Sequence, residues 1–214
     1  ALDDAFGGAA PLERLRLFAA VEERERTVVR QMVRKRLNAP LAHGAGRYFD
    51  AIGALGLARA RTSYEGQVAL EWNLTLDASE TGSYPFEPPA LAGSMALLES
   101  ECPQADLRPL VRAAALDVAG GVAAAVVSAR FHNAMADVAV ALLQQATGNL
   151  ARLPVVLTGG CFQNAELVER IEGRLAGQRM LVRHGLVPPG DGGLALGQVL
   201  VADAQLAAAG GSGA

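Results

Sequence analysis

The chain has 214 residues, of which 51% are hydrophobic and 19% charged, with a formal net charge of -3 at pH 7. This composition excludes an intrinsically disordered protein, and the acidic balance disfavours electrostatic binding to nucleic acid or to an anionic membrane. No run approaches the roughly 20 apolar residues of a membrane span, and the N-terminus carries no secretory signal. We therefore expect a cytoplasmic protein without nucleic-acid or membrane partners.

The first 150 residues are predicted to be mainly helical. Apolar side chains recur at helical spacing in residues 11–36, and the predicted buried face is Leu12, Leu15, Phe18, Val21 and Val28. Further helices are predicted at residues 47–58, 64–72, 91–101, 106–117 and 119–147. Thr62 or Ser63 is expected to cap the helix at 64–72, and residues 73–78 alternate like a strand.

Residues 151–209 change to an alternation of strands and helices. Residues 155–158 form a continuous apolar run, which is typical of a strand buried on both faces. The elements predicted after it are a helix at 164–175, a strand at 179–184 and a helix at 194–209. This order predicts an α/β layer with parallel strands. Residues 210–214 are predicted to be a flexible tail.

A glycine pair, Gly159 and Gly160, follows the first of these strands and precedes a predicted helix. Such a turn presents free backbone N–H groups at the positive end of the helix dipole, a geometry that binds anions and phosphate in particular. Asn164 offers an amide that can cap the helix or bind a nucleobase edge or a ribose. A tight turn without a ligand explains the same residues, and the motif is neither a Rossmann fingerprint nor a Walker loop.

A second glycine-rich turn, "PPGDGG", contains one acid, Asp191, directly before a predicted helix. The carboxylate is placed where it can cap that helix or stabilise its first turn. A carboxylate on a constrained turn beside an anion site is also what a bound metal ion requires. The spacing alone favours the cap, but capping leaves the flanking glycines unexplained.

Other candidate residues lie in three helical segments. Asp50 has apolar neighbours, and an acid in that setting is usually exposed or capping. Glu65 precedes Gly66, and a glycine within a helix costs about 1 kcal/mol relative to alanine, which suggests a close approach by another group. His132 lies in mid-helix, where a lone histidine more often packs or is exposed than binds a ligand.

No complete catalytic or metal site can be assembled from the sequence. The chain contains no HExxH, HxxH or HxxxH motif. Cys102 and Cys161 show neither metal-ligand spacing nor a disulfide framework, which fits a reducing compartment. Cys161 follows the glycine pair, but no base can be assigned to it, so the catalytic residues stay unassigned.

Five ordered motifs give the chain a family resemblance, from about residue 11 to residue 206. They are "NAPLAHGAGRYFDAIGAL", "SYEGQVALE", "ARFHNAMADV", "LTGGCFQNAELVER" and "VPPGDGGLALGQ". Together they resemble the C-terminal, Kae1-like domain of the HypF family, the carbamoyltransferases of nickel–iron hydrogenase maturation. The resemblance implies the actin/Hsp70-like (ASKHA, ribonuclease H-like) nucleotide-binding α/β fold with a large helical portion. The chain does not begin with methionine, and we expect the first lobe of that fold to be incomplete.

The resemblance also implies a reaction. HypF-like proteins convert carbamoyl phosphate and ATP into carbamoyl-adenylate, and they pass the carbamoyl group to the C-terminal cysteine of the partner HypE. Acylphosphatase-like, zinc-finger-like and YrdC-like domains precede the Kae1-like domain in this family. Because the acceptor thiol comes from HypE, no nucleophile of this chain is required. The chain by itself is expected to be inactive.

Site residues are carried over from the family motifs position by position. Gly159 and Gly160 match the glycines that face the phosphate, and Asn164 matches the asparagine on the base side. The region that holds the ribose corresponds to Asp50, Glu65 and Gly66. Asp191 matches the aspartate that binds a divalent metal (Zn, Fe or Mg). The other metal ligands of the family are histidines of an HHxAH-type motif that is missing from this chain.

Two alternatives stay open from the sequence. An actin-like ATPase or sugar-kinase lobe would bind ATP and act by domain closure, but it would need a carboxylate beside an acceptor hydroxyl. A non-catalytic nucleotide- or partner-binding module would need neither that carboxylate nor the missing histidines.

Overall fold

A computed structural model describes residues 1–88, 104–147 and 153–210. Its helices in these ranges are α1 (Leu2–Ala5), α2 (Glu23–Lys35), α3 (Ala45–Gly56), α4 (Gln67–Leu74), α5 (Arg108–Ala119), α6 (Ala124–Thr147), α7 (Ala165–Leu175) and α8 (Leu194–Gly210). Its strands are β1 (Val155–Val156) and β2 (Leu181–Val182), and short 3₁₀ turns lie at Leu12–Arg14, Arg16–Ala20, Gly160–Gln163 and Asp191–Gly193. The predicted helix at 91–101, Cys102 and residues 211–214 of the predicted tail lie outside the described residues.

One hydrophobic core joins the helical region to the α/β region. α6 runs through this core, and α3, α5 and α7 pack against it. The largest fully buried apolar side chains are Trp72, Phe131, Leu15, Ile52, Leu110 and Ile171. Side chains of α3, α6 and α7 belong to the same buried cluster as Leu157, which follows β1. The elements that carry the candidate site residues are therefore packed together.

Two glycines of α3 allow it to lie very close to α4. A Cβ on Gly53 would lie 2.7 Å from Cγ1 of Val68, and one on Gly56 would lie 2.3 Å from Cη2 of Trp72. Both distances are far shorter than van der Waals contact. Glycine normally weakens a helix, so we attribute both glycines to the space that the indole ring and the valine occupy.

Contrary to the expectation from the sequence, α6 is long and apolar enough to cross a membrane by length and composition alone. However, 56% of that candidate segment is buried inside the protein. Arg130 of α6 also pairs with Glu80 and Asp117. Burial of this kind is typical of a core helix.

The α/β region has the predicted order of strand, helix, strand and helix. β1 and β2 pair in parallel, with Val155 opposite Leu181 and Val156 opposite Val182, so the predicted parallel arrangement is confirmed. The strands are only two residues long, and the predicted burial of both faces is wrong. Val156 is 56% exposed, because no described element covers the outer face of this two-stranded sheet.

Two predictions for the first 80 residues are also wrong. Residues 11–36 do not form one helix, because the backbone is extended at Leu15 and Val21 and divides the segment into 3₁₀ turns and α2. Leu15 alone of the predicted face is buried, whereas Val28 is 48% exposed. Residues 73–78 are not a strand: α4 extends to Leu74, and Asp77 accepts two hydrogen bonds from Ser79 in a local turn.

Candidate functional site

A cavity of about 410 Å³ lies between α3, α4 and the turn that follows β1. Five of the predicted site residues line it, namely Asp50, Glu65, Gly66, Gly160 and Asn164. They come from three separate segments of the sequence, and the fold brings them to one place. Of the other two, Gly159 adjoins Gly160 without lining the cavity, and Asp191 lies outside it.

The glycine turn differs in part from its predicted form. The N–H of Gly159 is not free, because it donates to the carbonyl of Pro189 at 2.6 Å. Gly159 has φ +106°, a conformation that favours glycine. Gly160 begins a 3₁₀ turn, and a Cβ built on it would meet no atom within 4 Å. The fold of the described residues does not require glycine at position 160, and the space beside it opens into the cavity.

Asn164 has both a structural and a site position. It is the N-cap of α7, as predicted, and its Oδ1 accepts the N–H of Leu167 at 3.0 Å. Its Nδ2 lies 2.9 Å from Nε2 of His132. Capping therefore uses one side of the amide, and the residue also forms part of the cavity wall.

His132 is fully buried, so the packing interpretation of this histidine is confirmed. Its ring makes edge-to-face contacts with Phe49 and Phe131, at centroid distances of 5.3 and 5.9 Å. The pKa of His132 is lowered to about 4, mainly by burial; the hydrogen bond with the Ser128 carbonyl opposes this shift, and the nearby charge of Arg170 contributes to it. The ring is therefore neutral at neutral pH.

Because His132 is buried as a neutral ring, we expect the free energy of unfolding to fall in acid. Its folded pKa of about 4 lies below its ordinary value of 6.5, so the unfolded chain binds more protons once the pH falls below that ordinary value. The contribution is fully present at higher pH and is lost as the pH falls towards 4. Between about pH 7 and about pH 5, the free energy of unfolding should fall by about 2 kcal/mol more than in His132→Gln. Urea unfolding at both pH values measures this difference, and equal losses in the two proteins would contradict it.

The loop before α4 supplies Glu65 and Gly66. Gly66 is the N-cap of α4 and has φ +81°, so the predicted caps Thr62 and Ser63 are wrong. The left-handed backbone explains this glycine, and a Cβ on it would meet no atom within 4 Å. No atom of the described residues comes close to this position, which lines the cavity, so the close approach expected at Gly66 stays a prediction about a ligand.

A network of polar side chains fixes the position of this loop. Gln67 accepts the Ser63 N–H at 2.7 Å and donates to Glu71 at 2.9 Å. Glu71 also pairs with Arg59 at 2.8 Å. These contacts tie both sides of the loop to α4 and leave the carboxylate of Glu65 at the exposed rim of the cavity.

α3 contributes one negatively charged and one positively charged side chain to the cavity. Asp50 is partly buried and pairs with Arg47 one turn earlier, at 3.0 Å. The guanidinium of Arg47 is mostly exposed and lines the same cavity as Gly160. Its positive charge acts on Cys161, the residue after Gly160, and this contribution was not predicted from the sequence.

Asn73 and Cys161 also line the cavity and were not predicted as site residues. The Oδ1 of Asn73 is buried, and no donor among the described residues reaches it, so it can accept a hydrogen bond from a ligand. Burial raises the pKa of the Cys161 thiol, and Asp50 raises it further, while the Gly46 N–H and Arg47 oppose the shift. The thiol is therefore protonated at neutral pH and is not an activated nucleophile.

Asp191 is the first residue of a 3₁₀ turn that leads directly into α8, and its side chain is exposed. The N-cap of this turn is Gly190, so the interpretation of Asp191 as the N-cap is wrong, whereas Asp191 does lie in the first turn of the segment, as the other interpretation predicted. The glycines that follow are explained by packing, because a Cβ on Gly192 or Gly193 would lie 2.8 Å from an atom of Pro188. No group of three His, Cys, Asp or Glu side chains in the described ranges could hold a metal ion. Asp191 offers one carboxylate, which does not make a metal site alone.

Residues 3–198 match the family model described as the second subdomain of the Kae1-like domain of carbamoyltransferase. The carbamoyltransferase HypF of Rhodobacter capsulatus is 38% identical over 192 residues, which cover 89% of this chain and 23% of that protein. A crystal structure of full-length HypF in a phosphate- and nucleotide-bound form has a TM-score of 0.73 at 28% identity, over 89% of this chain and 24% of that one. HypF of T. kodakarensis has a TM-score of 0.69 at 21% identity, over 92% of this chain and 25% of that one, and supports the fold alone.

Proposed function

Since the chain belongs to the HypF carbamoyltransferase family and matches the second subdomain of its Kae1-like domain, we propose that it binds carbamoyl-adenylate in the cavity between α3 and α4. The chain spans about a quarter of the length of HypF from Rhodobacter capsulatus and of the full-length HypF in the crystal structure. The complete reaction, from ATP and carbamoyl phosphate to a carbamoylated HypE, is therefore proposed for a protein that also contains the acylphosphatase-like, zinc-finger-like and YrdC-like domains. We infer the actin/Hsp70-like fold for the whole Kae1-like domain.

The observation that carries this proposal is the meeting of distant motif residues at one cavity. Asp50, Glu65, Gly66, Gly160 and Asn164 were selected from sequence motifs, and all five line the same space. Its volume of about 410 Å³ is within the range of small-molecule sites. The nucleotide-bound form of the HypF relative supports the same choice of ligand.

Each part of an adenylate has a suitable partner in the cavity wall. The phosphate would lie at the Gly160 turn, where a backbone N–H and the positive charge of Arg47 are available. The carboxylates of Asp50 and Glu65 would accept the ribose hydroxyls. The amides of Asn164 and Asn73 would bind the base, because an amide both donates and accepts.

The transfer step needs positioning more than it needs a nucleophile of this chain. The thiolate of the HypE C-terminal cysteine attacks the carbamoyl carbon, a C–S bond forms, and the bond to the phosphate oxygen breaks as AMP leaves. The thiol has first given up its proton to solvent. Holding the adenylate still reduces the entropic cost of this step. The protonated thiol of Cys161 would not compete as a nucleophile.

Asp191 is proposed as one ligand of a divalent metal whose other ligands lie outside this chain, and no step above passes through that metal. Asp191→Asn should change the free energy of unfolding by less than about 0.5 kcal/mol, because the carboxylate is exposed and caps no helix. In a protein that includes the upstream domains, the variant should lose bound metal. Elemental analysis of the parent and the variant measures this, and an unchanged metal content would show that the assignment is wrong.

Calorimetric titration tests the adenylate site directly. AMP, ATP and a non-hydrolysable carbamoyl-adenylate analogue should bind the chain, with the analogue tightest, and GMP should bind more weakly than AMP. An absence of heat with all three adenosine ligands would contradict the proposal. Hydrolysis of ATP without carbamoyl phosphate would favour the ATPase or kinase alternative.

A further inference from the structure

A continuous series of hydrogen bonds connects the cavity wall to the core of α4. The N–H of Leu167 donates to Oδ1 of Asn164 at 3.0 Å, and Nδ2 of Asn164 lies 2.9 Å from Nε2 of His132. Nδ1 of His132 lies 2.8 Å from the carbonyl oxygen of Ser128. The Ser128 hydroxyl lies 3.3 Å from the same ring nitrogen and donates to the carbonyl of Trp72 at 2.6 Å. The series crosses three helices, α7, α6 and α4.

Backbone groups determine the direction of every bond in this series. The N–H of Leu167 can only donate, so the atom of Asn164 that faces it is the oxygen. The NH₂ group of Asn164 therefore faces His132, and Nε2 must accept. The ring proton is then on Nδ1, which matches its acceptor, because the Ser128 carbonyl cannot donate. One tautomer of His132 and one orientation of the Asn164 amide satisfy all of these atoms.

The surroundings of His132 keep it in this state. The ring has no exposed surface and lies against Phe49 and Phe131, and the positive charge of Arg170 acts on it. Protonation at Nε2 would place two donors against each other, because the Asn164 amide nitrogen cannot accept.

We propose that His132 is a positioning residue that fixes the Asn164 amide for ligand binding. With one N–H held by His132 and one lone pair held by Leu167, the amide has one N–H and one lone pair left for the ligand. Without the histidine, the amide nitrogen has no partner among the residues that the structure describes, and the side chain can leave the orientation that the ligand requires. This role rests on the proposed adenylate site, because Asn164 is the proposed base contact.

A double-mutant cycle on AMP affinity tests the proposal. His132→Leu should weaken AMP binding about tenfold when residue 164 is asparagine, and less than about twofold in the Asn164→Ala background. His132→Gln should keep the affinity within about threefold of the parent, because its side-chain oxygen can accept near the position of Nε2. Equal losses in both backgrounds would overturn the proposal, since they would reflect a general effect on the fold.

If the parent protein does not bind AMP, the adenylate site itself is rejected. If the parent binds AMP and the His132→Leu variant binds it equally well, only the role of the histidine is rejected.

Two-bond ¹H–¹⁵N spectra of the unsubstituted chain give a second test that needs neither a nucleotide nor a variant that folds. The ring should be neutral and protonated at Nδ1. A ring protonated at Nε2 would overturn the proposal whatever the affinities are.

Discussion

Gly160→Val is expected to weaken binding of AMP and of the carbamoyl-adenylate analogue by about 100-fold or more, equivalent to roughly 3 kcal/mol. The position beside Gly160 is open and faces the cavity, so the valine methyl groups would occupy the space proposed for the phosphate. The free energy of unfolding should change by less than about 1 kcal/mol, because no atom lies within 4 Å of the added Cβ. Calorimetry and urea unfolding of the same preparation measure the two effects.

Gly185→Val is the matched control for this substitution. Gly185 is also exposed, a Cβ on it would meet no atom within 4 Å, and it is not part of the cavity wall. This variant should bind AMP like the parent. If Gly160→Val instead unfolds the chain while its remaining folded fraction binds normally, the glycine has a structural role and the phosphate assignment is wrong.

Elements whose signals are local could be predicted from the sequence. α7 begins one residue after Asn164 because that side chain caps it, and the strand–helix–strand order needs no distant contact. The interrupted segment before α2 could not be predicted in this way. Leu15 is buried there against Leu55 and Ala115, and contacts so distant in sequence are not visible in a helical pattern.

The same contrast between local sequence signals and contacts distant in sequence holds for the candidate site. Motif resemblance selected residues that the fold brings to one cavity, but the reasons for single residues were often different from those inferred. Gly66 is explained by its φ of +81°, and Asp191 caps nothing. The contribution of His132 could not be predicted, because it depends on an amide from another helix, and the only sequence signal was a serine four residues earlier on the same face of α6.

Gly56→Ala is expected to lower the free energy of unfolding by about 3 kcal/mol. The added methyl group would lie 2.3 Å from Cη2 and 2.4 Å from Cζ3 of Trp72. The indole is fully buried and cannot move aside without disturbing the core. In a helix with open space the same substitution should stabilise: Gly173→Ala in α7, where a Cβ meets no atom within 4 Å, should gain about 1 kcal/mol. Urea unfolding of both variants measures the contrast, and losses of similar size would contradict it.

A partner substitution separates steric conflict from other effects of the alanine. Phenylalanine lacks the outer ring atoms of Trp72 that lie closest to position 56. In a Trp72→Phe background, Gly56→Ala should therefore cost about 1 kcal/mol or less, although Trp72→Phe alone is destabilising because it leaves a cavity. The resulting coupling of about 2 kcal/mol would assign the glycine to close packing of α3 on α4. Asp50 and Asn73 lie on these two helices and line the cavity. Gly56→Ala should therefore also weaken AMP binding in the protein that remains folded. The Trp72→Phe background should restore part of that affinity.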